Sequence, residues 1–135
     1  MERHFKVEVG FNGYIGASEI VDVYVDPEKE FYWDEDDLEQ SLKIFIQDQN
    51  NGIAYDLLNE DDVDDLGDGT YEVTYSFSDC YGCYETYEVD YAENEDDAVD
   101  QAFQLACDSL TVESYEEVFD NINSSRRLKI RRNRL

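Results

Sequence analysis

The sequence predicts an α+β fold: one antiparallel four-stranded sheet with helices on one face, built from two successive ββα(α) units. Three observations predict it. Two pairs of segments alternate apolar and polar residues, a run of helical period follows each pair, and the second set resembles the first at a fixed offset.

In the first unit, FKVEVGF (5–11) turns Phe5, Val7, Val9 and Phe11 one way, and IVDVYVD (20–26) does so with Val21, Val23 and Val25. The Gly13–Gly16 region joins them as a hairpin. In DEDDLEQSLKIFIQD, Leu38, Leu42 and Phe45 fall at i, i+4 and i+7, and Asp36 with Glu39 has capping-box spacing, which predicts a helix over roughly 36–48. The second unit repeats this order. YEVTYSF (71–77) aligns Tyr71, Val73, Tyr75 and Phe77, YETYEVDY (84–91) aligns Tyr87, Val89 and Tyr91, and a helix starts at Asn94. Laying 5–26 on 71–92 without gaps matches Val7 with Val73, Phe11 with Phe77, Gly16 with Gly82, Glu19 with Glu85 and Val23 with Val89.

Each unit is expected to end in an acidic, partly helical extension. The first is Ile53–Leu66, stopped by Gly67 and Gly69; the second is TVESYEEVFDNI, with a capping box at Ser114 and Glu117 and a stripe of Tyr115, Phe119 and Ile122. A two-stranded hairpin is marginal alone, so the hairpins should merge into one sheet. Residues 1–125 then form a single acidic domain, with imperfect repeats 5–66 and 71–123. The remainder, 126–135, is a basic tail or, through Leu128 and Ile130 alternating with cations, a fifth edge strand.

Composition supports a folded chain. At 135 residues, with 41% hydrophobic and 14% aromatic residues, it lacks the aromatic-poor signature of acidic disorder. Neither a long apolar run nor a basic-then-apolar start is present, so no membrane span and no secretory signal are expected. Three cysteines, an odd number, fit a reducing compartment without a disulfide framework, and hence the cytoplasm.

Charge is the main functional signal. Residues 1–123 hold all 35 acids against Arg3, Lys6, Lys29 and Lys43, a formal −31, whereas the last twelve residues carry +6. Self-repulsion on that scale destabilises a compact state, and solubility requires a net charge of only about 2–8. The excess suits attraction of a basic partner.

The acids gather in blocks, giving as candidate partner-binding residues Asp34, Glu35, Asp36 and Asp37; Glu60, Asp61, Asp62, Asp64 and Asp65; and Glu93, Glu95, Asp96, Asp97 and Asp100. A helix start uses one or two acids, each contributing about 0.3–1 kcal/mol. The blocks exceed that. Glu8, Asp22, Asp26, Glu72, Glu88 and Asp90 are expected on the polar sheet face. Carboxylates four apart on a helix stand about 6 Å apart along its axis. Those two apart on a strand stand about 6.6–6.8 Å apart. Both distances are comparable with phosphate spacing along nucleic acid. Among eleven tyrosines, Tyr71, Tyr75, Tyr87 and Tyr91 are expected in the core; Tyr14, Tyr24, Tyr81 and Tyr84 are candidates for contact, with Tyr81 and Tyr84 joining the binding set.

A small, strongly acidic, tyrosine-rich chain with blocks such as DEDD, NEDDVDD and NEDD resembles the phage-encoded anti-defence DNA mimics, the anti-CRISPR and anti-restriction inhibitors. The resemblance is one of charge, size and composition over residues 1–123, to a class whose members share no motif. It implies an inhibitor occupying the nucleic-acid site of a Cas effector or restriction enzyme, in the host cytoplasm if phage-encoded, as monomer or dimer. No direct nucleic-acid contact by the acidic body and no membrane are implied. The basic tail departs from the class. An acidic chaperone or antitoxin-like partner of one basic protein is the competing reading.

Other chemistries find less support. Cys80, Cys83, Cys107 and His4 could in principle form a Cys3His zinc set, but one CxxC lacks a second paired cluster, and hairpin and core thiols, or a dimer-bridging site or redox pair, are the alternatives. The acidic segments lack EF-hand spacing. With one histidine and no GxSxG, HExxH or phosphate-cradling glycine loop, the chain reads as a non-enzyme requiring no cofactor.

Overall fold

A computed structural model describes residues 1–119 and the backbone of 128–132. In order, these form β1 (Arg3–Phe11), β2 (Glu19–Val25), α1 (Leu38–Gln47), α2 (Ile53–Leu57), β3 (Leu58–Gly67), β4 (Thr70–Phe77), β5 (Tyr84–Val89), α3 (Glu95–Asp108), β6 (Leu110–Phe119) and β7 (Leu128–Arg132). The class is α+β, as expected. The single four- or five-stranded sheet is not what forms. There are two antiparallel sheets, β2-β1-β6-β7 and β3-β4-β5.

The topology is an exchange between two equivalent units. Each ββα unit is followed by a strand that leaves it: β3 pairs with β4 of the second unit, and β6 pairs with β1 of the first. Leu58 lies opposite Phe77, and Leu110 lies opposite Phe11. Each exchanged strand also carries a bulge at the same place, where the register passes over Asp61 in β3 and Glu113 in β6.

These bulges explain the main correction. Only Ile53–Leu57 of the first extension is helical; NEDDVDDL is strand, and so is the whole of Leu110–Phe119. A bulge interrupts the two-residue alternation, so Val112 and Tyr115, both buried, stand three apart, as they would on a helix. Ser114 caps nothing: its hydroxyl donates to Glu8 Oε1 at 2.9 Å.

Local chemistry sets the true helices. Asp37, not Asp36, caps α1 by accepting from Gln40 N at 3.2 Å, and Asn94 caps α3 by accepting from Asp97 N at 2.9 Å. The apolar face of α1 buries Leu38, Leu42 and Ile46 and packs chiefly on β6; α3 buries Ala98, Ala102, Phe103 and Ala106 and packs on β4 and β5. One core results, centred on the repeat-related pair Phe11 and Phe77, whose rings stack at 5.7 Å. Fully burying each such side chain stabilises by about 1.5–3 kcal/mol.

Tyr71 and Tyr75 are buried and Tyr87 is half-buried, but Tyr91, expected in the core, is 91% exposed. β5 stops at Val89, and Tyr91 takes a positive φ that turns it out of the strand alternation. Of the basic tail, Leu128–Arg132 forms edge strand β7 beside β6; Arg126, Arg127 and Arg134 lie outside the described residues. No described helix is long and apolar enough to cross a membrane.

Burial holds the phenols of Tyr32, Tyr71, Tyr75 and Tyr87 above the usual tyrosine range. A folded pKa above the unfolded one gives stability that is complete below about pH 10 and is lost as pH rises through the folded values. Tyrosinate absorbance of these residues should therefore appear together with loss of far-ultraviolet dichroism in alkali. Complete ionisation near the ordinary value with the dichroism unchanged would contradict the burial.

Candidate partner-binding surface

Between Lys43 and Arg126 the chain contains no lysine, arginine or histidine, and that stretch builds α2, β3, β4, β5, α3 and β6. The β3-β4-β5 sheet with α3 is thus a half of the molecule devoid of cationic residues. On the other sheet, Arg3, His4 and Lys6 all sit on β1, where they meet acids. His4 Nε2 and Lys6 Nζ reach Asp22 Oδ1 at 2.8 and 2.9 Å, and these two bonds hold the Asp22 carboxyl below its usual range.

On the outer face of β3-β4-β5, strand register sets Asp64 opposite Glu72, and Glu72 opposite Glu88. Neighbouring strands are about 4.8 Å apart, so three carboxylates form a row across the sheet. One row away, Asp62 faces Thr74, whose hydroxyl bonds Thr86 at 2.8 Å. Like charges directly opposite destabilise a sheet. Glu72→Thr, at the centre of the row, should therefore raise stability by about 0.2–1 kcal/mol. The gain should shrink in high salt. Denaturant midpoints at low and high salt check this; a destabilised variant would show that the row carries no repulsion.

On the opposite face of this sheet, register sets Glu60 beside Tyr75 and Asp65 beside Tyr71, and α3 packs over the same face. The Tyr71 phenol senses Asp65 of β3 and Glu95 of α3, while Tyr75 senses Glu60 of β3 and Asp100 of α3. Glu60 and Asp65 of β3 thus flank the tyrosine row on one side, with Glu95 and Asp100 of α3 on the other. Between them lies a groove of about 160 Å³, flanked by Glu60 and Asp100 and lined by Tyr75 and Phe103. Tyr55, 59% exposed, stacks on Phe103 at 4.3 Å. The groove thus combines an aromatic lining with anionic rims.

The structure divides the sequence-derived binding set. Glu60, Asp61, Asp62, Asp64 and Asp65 stand exposed on an edge strand rather than a helix, and Glu93, Glu95, Asp96 and Asp100 are exposed around the start of α3. Asp97 is half-buried and occupied, its Oδ2 accepting from Glu93 N at 2.9 Å and Gln101 Nε2 at 3.1 Å. The Asp34–Asp37 block serves local structure and the other sheet. Asp34 Oδ1 accepts from Asp36 N, Asp37 caps α1, and Glu35 binds Arg3 and, at 2.7 Å, Trp33 Nε1. Tyr81 and Tyr84 lie at the β4–β5 turn. Glu72 and Glu88 were visible as polar alternates of their strands, but their alignment with Asp64 depends on β3; Tyr55 had no sequence signal.

The zinc set is not assembled. Cys80 and Cys83 are joined by a disulfide, so the expectation of free hairpin thiols is corrected. Cys107 is buried in α3, its thiol pushed up to about 12 by burial, and His4 stacks on Tyr24 in the other sheet. Among the described residues no group of three or more histidine, cysteine or acidic side chains is arranged to hold a metal ion.

Comparison with protein-family models, curated proteins and solved structures gives no match.

Proposed function

We propose that this protein is a nucleic-acid mimic that inhibits a host defence nuclease by occupying its basic DNA- or RNA-binding groove. The foremost target is a CRISPR-Cas effector, and a restriction complex is the next. The observation that carries this reading is the half-molecule without cations, in which Glu60 and Asp100 flank an aromatic groove and Asp64, Glu72 and Glu88 form a row on the other face of the sheet. Beyond the bulge, Asp62 and Asp64 stand about 6.6–6.8 Å apart on one face of β3, giving a cationic cleft a fixed spacing of anions. A folded scaffold holds these charges, so the partner orders none of them on binding, which preserves affinity. The site has no nucleophile–base pair and is assigned no turnover.

The test is displacement of labelled duplex or guide RNA from a purified effector, measured by fluorescence anisotropy over a salt series. The wild-type chain should displace nucleic acid, less so as salt rises, without being consumed. Asp61→Lys/Asp62→Lys and, separately, Glu95→Lys/Asp96→Lys should each weaken displacement at least about tenfold, the 1.4 kcal/mol scale of one good contact. Asp97 is left intact because it secures the start of α3. Binding that leaves the effector's nucleic-acid affinity unchanged would sink the proposal, and would favour the chaperone or antitoxin-like reading.

A further inference from the structure

The two hairpin turns share most of their conformation, differing at Gly13, whose φ is 73°, where the counterpart Asp79 has no positive φ. Asn12 and Ser78 both take positive φ, 48° and 44°, as do Gly16 and Gly82, 89° and 82°. Tyr14 N donates to Phe11 O at 3.0 Å and Ala17 N to Tyr14 O at 3.2 Å; the counterparts, Cys80 N to Phe77 O and Cys83 N to Cys80 O, have the same lengths. The first turn achieves this without sulfur, so the Cys80–Cys83 bond does not dictate the shape.

Just before each left-handed glycine, both turns place a large apolar side chain wholly in solvent: Ile15 at 100% exposure and Tyr81 at 103%. One exposed apolar residue is ordinary. Two at equivalent positions of copied turns are a patterned feature, and since isoleucine and tyrosine differ in shape, the turn itself does not demand either. The turns are also fastened together. Asn12 Nδ2 donates to Glu85 Oε1 at 2.6 Å and Tyr14 OH to Tyr84 O at 2.7 Å. A hollow of about 150 Å³ between them is bordered by Glu19 and Asp79.

We propose that Ile15 and Tyr81 form a two-pronged anchor that inserts into apolar recesses of a basic partner protein, whose surrounding lysines and arginines meet Glu19 and Asp79. Charge selects this occupant. At a formal −25, the protein repels nucleic acid, an anionic membrane and a second copy of itself, whereas a cationic protein is attracted. Interfaces draw most of their affinity from a few anchoring side chains, tyrosine among the most frequent. The inference rests on the reading of the protein as a ligand of a basic partner, and adds an apolar contact to that of the aromatic groove.

The experiment places a photoreactive benzoylphenylalanine at position 15, at 81 or, as a control, at Phe31, which is 101% exposed. After irradiation in a lysate of the cells that contain the protein, adducts are identified by mass spectrometry, and the recovered partner is purified for titration. Positions 15 and 81 should trap the same basic protein and position 31 should not. Ile15→Ser and Tyr81→Ser should each weaken its binding at least about tenfold, with Tyr91→Ser changing it less than about twofold. Adducts to another copy of this chain, to lipid or to nothing, or a double variant that binds normally, would overturn the anchor. Adding nucleic acid to the same titration separates the two ideas: loss of affinity in the variants without competition by nucleic acid keeps the anchor and rejects the mimicry.

Discussion

Replacing Arg3 by methionine should cost about 3–5 kcal/mol of folding stability, the cost of leaving a buried charge without its partner. Arg3 Nε and Nη2 donate to Glu117 Oε2 and Oε1 at 2.7 and 2.8 Å, a bidentate pair in which the Glu117 side chain is only 4% exposed. The guanidinium also lies over Phe5 and Trp33, 5.2 and 6.0 Å from the ring centroids, and a third nitrogen binds Glu35. Hydrogen bonding to Glu117, opposed by burial, holds the Arg3 charge firmly on. Glu35 is largely exposed and adds little. The double variant Arg3→Met/Glu117→Leu, which removes both charges, should recover most of the loss, since a buried pair often exchanges for apolar residues without net cost. Urea unfolding of the three proteins is the check; a single variant within about 1 kcal/mol of wild type would show that the pair is solvated.

Phe77→Ala should lower stability by about 3–5 kcal/mol, the range for emptying a buried phenylalanine site. Phe77 belongs to β4, but its ring stacks on Phe11 of β1, so the lost contact joins the two sheets. Trp33, the only tryptophan, packs near Phe5 at 5.9 Å and reports the other sheet. Its fluorescence should shift to lower denaturant by the same amount as the far-ultraviolet dichroism, because the exchanged strands make the halves one cooperative unit. Two separated transitions would mean that each sheet unfolds by itself.

The acidic charge carries a further consequence for these measurements. With the acids of β3 and α3 held near one another, screening by salt relieves repulsion, so both variants should be compared at fixed ionic strength. The proposed function and the stability of the fold would be in opposition there: a carboxylate removed from the outer row should stabilise the sheet and would subtract from the field proposed to attract a cationic cleft.

Local patterns alone determined β1, β2, β4 and β5, the start of α3 at Asn94, the equivalence of the two hairpins and the sign of the surface, because alternation, helical period and charge are properties of neighbouring residues. The acidic blocks 60–65 and 93–100, the core of the proposed binding set, were legible as composition in the same way. Only the tertiary structure decided that β3 and β6 are strands and that each crosses to the other unit. Bulges at Asp61 and Glu113 break the alternation, and a strand's partner lies far off in the sequence. The same long-range pairing brings Arg3 to Glu117, groups β3 with α3 around Tyr71 and Tyr75, and commits the Asp34–Asp37 block to caps and to Arg3. Sequence records which groups are charged; which charges meet is settled by the exchange of strands.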